Sequence, residues 1–136
     1  MLSSTLGFFR TMLRFPPPWL GWIAALMAVN LVAPVFFLPA PEALWTLAAF
    51  MAGALTQMVL FSRLGFVRLL GVAHVLWFPL VVWIWTRMDA ATPGDPMYLW
   101  MASLVVLNSI SLAIDVADVG RYLFGERTPT LTLEEP

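Results

Sequence analysis

Five polar side chains recur at helical spacing late in the chain: Asn108, Ser111, Asp115, Asp118 and Tyr122. At about 100° per residue they fall within roughly 80° of one another, on a segment whose other faces are nearly all apolar. Carboxylates in such surroundings need partners and raise a functional question. Three chemistries suit them. With His74, the pair Asp115 and Asp118 could pass protons or a cation. The spacing Asp115-x-x-Asp118 resembles the aspartate pairs that hold Mg²⁺ in membrane enzymes acting on diphosphate lipids. His74 alone could ligate haem or meet a quinone.

Most of this chemistry lacks its other half. The Mg²⁺ arrangement requires a second acidic cluster, whereas the remaining acidic residues at that end are Glu126, Glu134 and Glu135. One histidine cannot give a bis-histidine haem in one chain, and His74 with Asp115 supplies too few ligands for a catalytic metal. No Gly-rich phosphate loop, paired-histidine motif or serine-histidine-aspartate set is present. The sequence therefore predicts no catalytic residue, no metal site and no required cofactor, with haem or quinone at His74 as the minor alternative.

Composition says which solvent these groups meet. The 136 residues are 61% hydrophobic and 11% charged, whereas a soluble domain has about a quarter charged. An all-α integral membrane protein is expected, a single membrane domain over 1–136. Cysteine is absent, which excludes disulfides, thiolate metal sites and thiol nucleophiles. A net charge of −1, with seven scattered arginines, argues against nucleic acid as a partner.

The positioning elements follow from apolar runs and their breakers. Residues 2–15 divide on a helical wheel into an apolar half (Leu2, Leu6, Phe8, Phe9, Met12, Leu13, Phe15) and a polar half with Arg10 and Arg14, which predicts a helix lying in the membrane interface. A signal-peptide reading is disfavoured, since no small-x-small cleavage site follows. Pro16, Pro17 and Pro18 end that helix. Four spans are expected at about 19–37, 43–61, 67–85 and 97–122, then a polar tail, 123–136. Short links make this an up-down-up-down bundle. Arg10, Arg14, Arg63, Arg68, Arg121 and Arg127 fall on one side and only Arg87 on the other, which predicts cytoplasmic termini. An alanine-rich, arginine-only composition points to a bacterial inner membrane.

Within this frame Gln57, His74 and Asp115 can share one layer toward the cytoplasmic end. Asp118 lies a turn beyond, within reach of Arg63, Arg68 and Arg121. Asn30 and Asn108 sit at mid-depth, where they can hydrogen bond. A transporter needs access from both faces, yet above Asn108 the stripe offers only Ser103. An internal layer of salt bridges and hydrogen bonds is thus favoured over a proton pathway. Pro34 and Pro79 free the carbonyls of Asn30 and Val75 and should bend spans one and three. Thr46, Ala49, Ala52, Gly53, Thr56 and Gln57 make a small-residue face for close helix packing. Trp77, Phe78, Trp83 and Trp85 crowd span three, as core or lipid anchors.

The function expected is a small non-catalytic membrane subunit or assembly factor that binds other membrane proteins, or itself, amid lipid. A small oligomeric proton- or cation-linked transporter using Asp115, Asp118 and His74 is the alternative. A haem- or quinone-binding redox module comes third.

Overall fold

The computed structural model describes residues 2–65 and 67–128, and among these it holds helices and turns with no strand. Helix α1 spans Leu2–Met12, α2 Pro17–Phe36, α3 Pro41–Leu64, α4 Trp77–Arg87 and α5 Pro96–Leu123. A 3₁₀ segment, Arg68–His74, precedes α4, and a single 3₁₀ turn, Met88–Ala90, follows it. Proline opens α2, α3 and α5, where its missing N–H is one the first turn would leave unpaired anyway. Helices α2, α3 and α5 are long and apolar enough to cross a membrane. Arg68–His74 together with Trp77–Ala90 makes a fourth candidate span, bent by 44°.

Two prolines shape the backbone, each differently from expectation. Within α2 the residues Ala28–Val32 form a π-helical segment, and the Ala33 N–H donates to the Ala28 carbonyl, five residues back. In that register the next donor would be Pro34, which has none, so the Val29 carbonyl is left open. The orphan is therefore Val29, rather than Asn30 as an unbroken α-helix would give. Trp100 of α5 fills it, its indole Nε1 donating to the Val29 oxygen at 2.9 Å. The second proline, Pro79, would clash with the Val75 carbonyl in a continuous helix. The chain instead breaks at Val75 and Leu76, and α4 begins at Trp77, so that Pro79 sits in its first turn. The span expected over 67–85 with a bend at Pro79 is thus bent, as a 3₁₀ segment, a break at Val75 and Leu76, and a helix.

Helix α5 is the centre of the structure. It buries 28% of its most apolar window, against 17% for α3 and 11% for α2. Trp100, Met101, Leu104 and Leu112 on α5 meet Trp77, Leu80, Val81 and Ile84 of α4 and Ala43 and Ala49 of α3 in one core. Phe37 stacks on Trp100 at 4.9 Å between ring centroids. The outward faces remain apolar, with Val35, Met51, Leu55, Val82, Val106 and Val116 all exposed. Such a surface has no place in water but suits lipid or a protein partner.

Helix α1 docks on the end of α3 and does not present its whole apolar half outward. Phe8 is buried edge-to-face against Phe61, and Thr11 is buried beside it. Leu6, Phe9 and Leu13 form the exposed stripe, with Arg10 and Arg14 also exposed. The helix ends at Met12, three residues short of the expected boundary. Of the tail, residues 129–136 lie outside the described residues.

Candidate functional site

The stripe on α5 resolves into three polar layers, each closed by another element. In the first, Asn108 and Asn30 exchange two amide hydrogen bonds, Asn30 Nδ2 donating to Asn108 Oδ1 at 2.9 Å and Asn108 Nδ2 to Asn30 Oδ1 at 2.8 Å. Asn108 Nδ2 also donates to its own helix, to the Leu104 carbonyl. Both residues are buried. Asn30 occupies the middle of the π segment. The extra residue in that turn, Pro34 and the Trp100 bond to Val29 thus act together to fix α2 on α5 at this depth.

The second layer lies about 10 Å along the helix, at ~1.5 Å per residue. His74 Nδ1 is 2.8 Å from Asp115 Oδ2, and Gln57 Nε2 is 3.2 Å from His74 Nε2. A neutral His74 with its proton on Nδ1 satisfies both contacts, donating to the carboxylate and accepting from the Gln57 amide. An imidazolium would require Gln57 to turn over and present its oxygen. Both ring nitrogens are engaged, so haem or a metal could reach Nε2 only by displacing Gln57. His74 closes the 3₁₀ segment immediately before the break in span three. That segment comes very close to α5: a Cβ on Gly71 would lie 3.1 Å from the Asp115 Cβ and 3.3 Å from its Cα. Any side chain there would force Asp115 or its backbone to give by a few tenths of an ångström.

The third layer is at the end of α5. Arg68 reaches Asp118 Oδ1 at 3.5 Å and Glu126 Oε2 at 3.3 Å, while Arg121 Nη2 meets the same Glu126 oxygen at 2.9 Å. Gly125, with φ of +115°, lets the chain fold back so that the Glu126 N–H bonds to the Arg121 carbonyl. This C-cap is what carries Glu126 to the two arginines. The Arg121 hydrogen bond, followed by the nearby positive charge of Arg121 and Arg68, holds the Glu126 carboxyl below its ordinary range. Arg127 lies over the Tyr122 ring at 5.7 Å.

The structure thus brings Gln57, His74 and Asp115 together, and Asp118 with Arg68. Arg63 is exposed and joins no ion pair among the described residues, and Arg121 pairs with Glu126. Ser111 is half-buried on the same face without a side-chain partner among the described residues. Ala49 and Gly53 are buried, and Gly53 faces the Ala73 carbonyl, where a Cβ would come within 3.3 Å. The small-residue face of α3 is therefore used inside the chain, with Ala52 only half-buried.

Sequence reasoning missed three features. Gly71 carried no signal beyond being a glycine four residues before Val75. Glu126 was read as part of a tail, although the Gly125 before it marks a helix C-cap. The third is the pair Glu42–Arg87, 2.8 Å between Oε1 and Nε, which the sequence places at the same end of the bundle without linking them. Glu42 is buried in the first turn of α3, where a negative charge also suits the helix dipole.

Among the described residues no group of three or more histidine or acidic side chains is placed to hold a metal ion. No family model, no curated protein and no solved structure matches this chain.

Proposed function

We propose that the chain is a small non-catalytic membrane subunit or assembly factor, working by packing against other membrane proteins within the bilayer. The observation that carries this reading is the closure of the α5 polar seam. Asn108, Asp115 and Asp118 each meet a complementary group on a neighbouring element, so none stands ready for a substrate. Polar layers of this kind set helix register at the expense of apolar packing. Outside them the helices carry apolar side chains on nearly every exposed face, an extensive surface for partners and lipid.

In this reading α2, α3, the bent third segment and α5 are four spans running up-down-up-down, and α1 lies in the interface. The reading takes both termini as cytoplasmic, and it is supported by the positive-inside rule, since six of the seven arginines are assigned to that end. The proposed location is a bacterial inner membrane.

A second reading keeps one specific observation in its favour. The backbone of span three is broken next to His74, and broken helices beside ionisable groups are where transporters bind ions. In an oligomer the Gln57–His74–Asp115 layer, with Asp118, would be the proton-exchanging group. Reconstitution of the purified chain in liposomes separates the two. Under a pH gradient the subunit reading expects no proton flux above empty liposomes, and Asp115→Asn to lower stability only. Flux that Asp115→Asn abolishes, with helix content and unfolding midpoint unchanged, would establish the transporter.

A further inference from the structure

Span three is bent by 44°, and a groove of about 540 Å³ lies between α3 and the residues from Leu76 to Trp83 that follow the bend. Trp45, Ala48 and Ala52 form one wall, and Leu76, Pro79 and Trp83 the other. The groove opens sideways from the bundle, for Trp45 is 62% and Leu76 50% exposed. Seven residues separate Trp45 from Ala52, so it is about 10 Å long at ~1.5 Å per residue. Its walls carry no charged side chain, and the alanines of α3 supply the width.

One end differs. A turn beyond Trp83, the Arg87 guanidinium lies 6.0 Å from the Trp83 ring centroid. Its Nε donates to the buried Glu42 at 2.8 Å, while the side chain stays 45% exposed. The Glu42 bond fixes the guanidinium over the tryptophan, and both Nη groups have no partner among the described residues. A planar cation held by one edge, with four N–H donors outward, suits a phosphate. Tryptophans at this level suit the glycerol and headgroup zone.

We propose that this groove binds a glycerophospholipid, one acyl chain lying between Ala48, Ala52 and Pro79 and the phosphate held by Arg87. A transmembrane helix could fill the apolar part but, lying in the hydrocarbon, would offer no acceptor to the guanidinium donors at the headgroup level. The site requires that these helices lie in a bilayer and does not require that the chain bind another protein.

Native mass spectrometry of the full chain in detergent, with equimolar phosphatidylglycerol and diacylglycerol of the same acyl chains, tests it. The unmodified protein should retain one phospholipid at least tenfold over diacylglycerol. Ala48→Phe, which fills the groove from an exposed position, should lower the bound fraction at least tenfold. Arg87→Gln should abolish the headgroup preference. Because it also leaves Glu42 unpaired, the double change Glu42→Gln with Arg87→Gln should give the same loss in a protein without a buried lone charge. Equal retention of the two lipids, or phospholipid binding indifferent to Ala48→Phe, would overturn the proposal. So would disulfide-linked dimers of Ala48→Cys, or its cross-linking to another protein, since the groove would then be covered by protein.

Discussion

The Asn30–Asn108 pair permits a quantitative test of whether the polar seam is structural. Replacing Asn108 with leucine removes both interhelical amide bonds and leaves the Asn30 side chain, only 4% exposed, without its partner. Hydrogen bonds between membrane helices average about 0.6 kcal/mol, with a maximum near 1.7. Two of them, plus the unpaired amide that remains, put the cost of Asn108→Leu at about 1–3 kcal/mol. Asn30→Leu should cost a similar amount by the same reasoning. The double variant replaces both amides with apolar groups of comparable size, which can be nearly neutral. Its cost should fall below the sum of the singles by at least ~1 kcal/mol, a coupling typical of residues in direct contact. Reversible unfolding in mixed micelles, followed by tryptophan fluorescence, measures all four proteins. Strictly additive costs would refute the pair as a structural clamp.

Four other outcomes are expected. Trp100→Phe leaves the Val29 carbonyl open and should cost about 1–2 kcal/mol; adding Pro34→Ala should restore most of it, because the new N–H can take that carbonyl, and unfolding of the double variant checks this. Gly71→Ala sets a Cβ 3.1 Å from Asp115 and should cost about 1–3 kcal/mol through overpacking, whereas Gly120→Ala, with open space around it, should be neutral or gain up to ~1 kcal/mol, both read from the same curves. His74→Leu and Asp115→Leu should also be coupled in a double-variant cycle, while the pair Asp115 and Arg63 should be additive. The fourth concerns pH. Because the folded-state pKa of Glu126 lies below its ordinary value of 4.5, its contribution is fully present above that value and fades as pH falls through the lower one. Amide protection factors at the end of α5, corrected for the intrinsic exchange rate, should therefore fall on acidification, and Glu126→Gln should remove that fall.

How much of this was legible depended on whether one helix sufficed to show it. The apolar runs and the prolines that bound them located α2, α3 and α5 within a few residues, because proline starts these helices for local steric reasons. The meeting of Asn30 with Asn108 followed from depth alone, since each was the sole amide near the middle of its span. Features that depend on two backbones at once were not legible. The π segment shifts the orphan carbonyl from Asn30 to Val29, and only the position of Trp100 shows why that register is tolerated. The break at Val75 and Leu76 rather than a smooth bend goes with a close approach of the 3₁₀ segment to α5, Gly71 against Asp115, which belongs to two backbones and not to the proline alone. The wheel of α1 separated apolar from polar but could not tell which apolar side chains meet protein, and Phe8 with Thr11 proved to be the docking edge. Depth grouped Gln57, His74 and Asp115, yet Arg63, Arg68 and Arg121 were equivalent candidates for Asp118 until the fold put Arg68 beside it and Arg121 against Glu126.

Under the proposed function these layers hold a small bundle in one register and leave its outer apolar faces for other proteins. Isolation of the tagged full chain from its native membrane in a mild, lipid-retaining detergent tests that claim most directly, with the mass and composition of the particle measured. The account predicts a particle holding a second membrane protein at fixed stoichiometry, lost when bulky charged residues replace Val106 or Val116 on the exposed face of α5. A chain isolated alone or only with its own copies, at every detergent mild enough to keep known complexes whole, would contradict it.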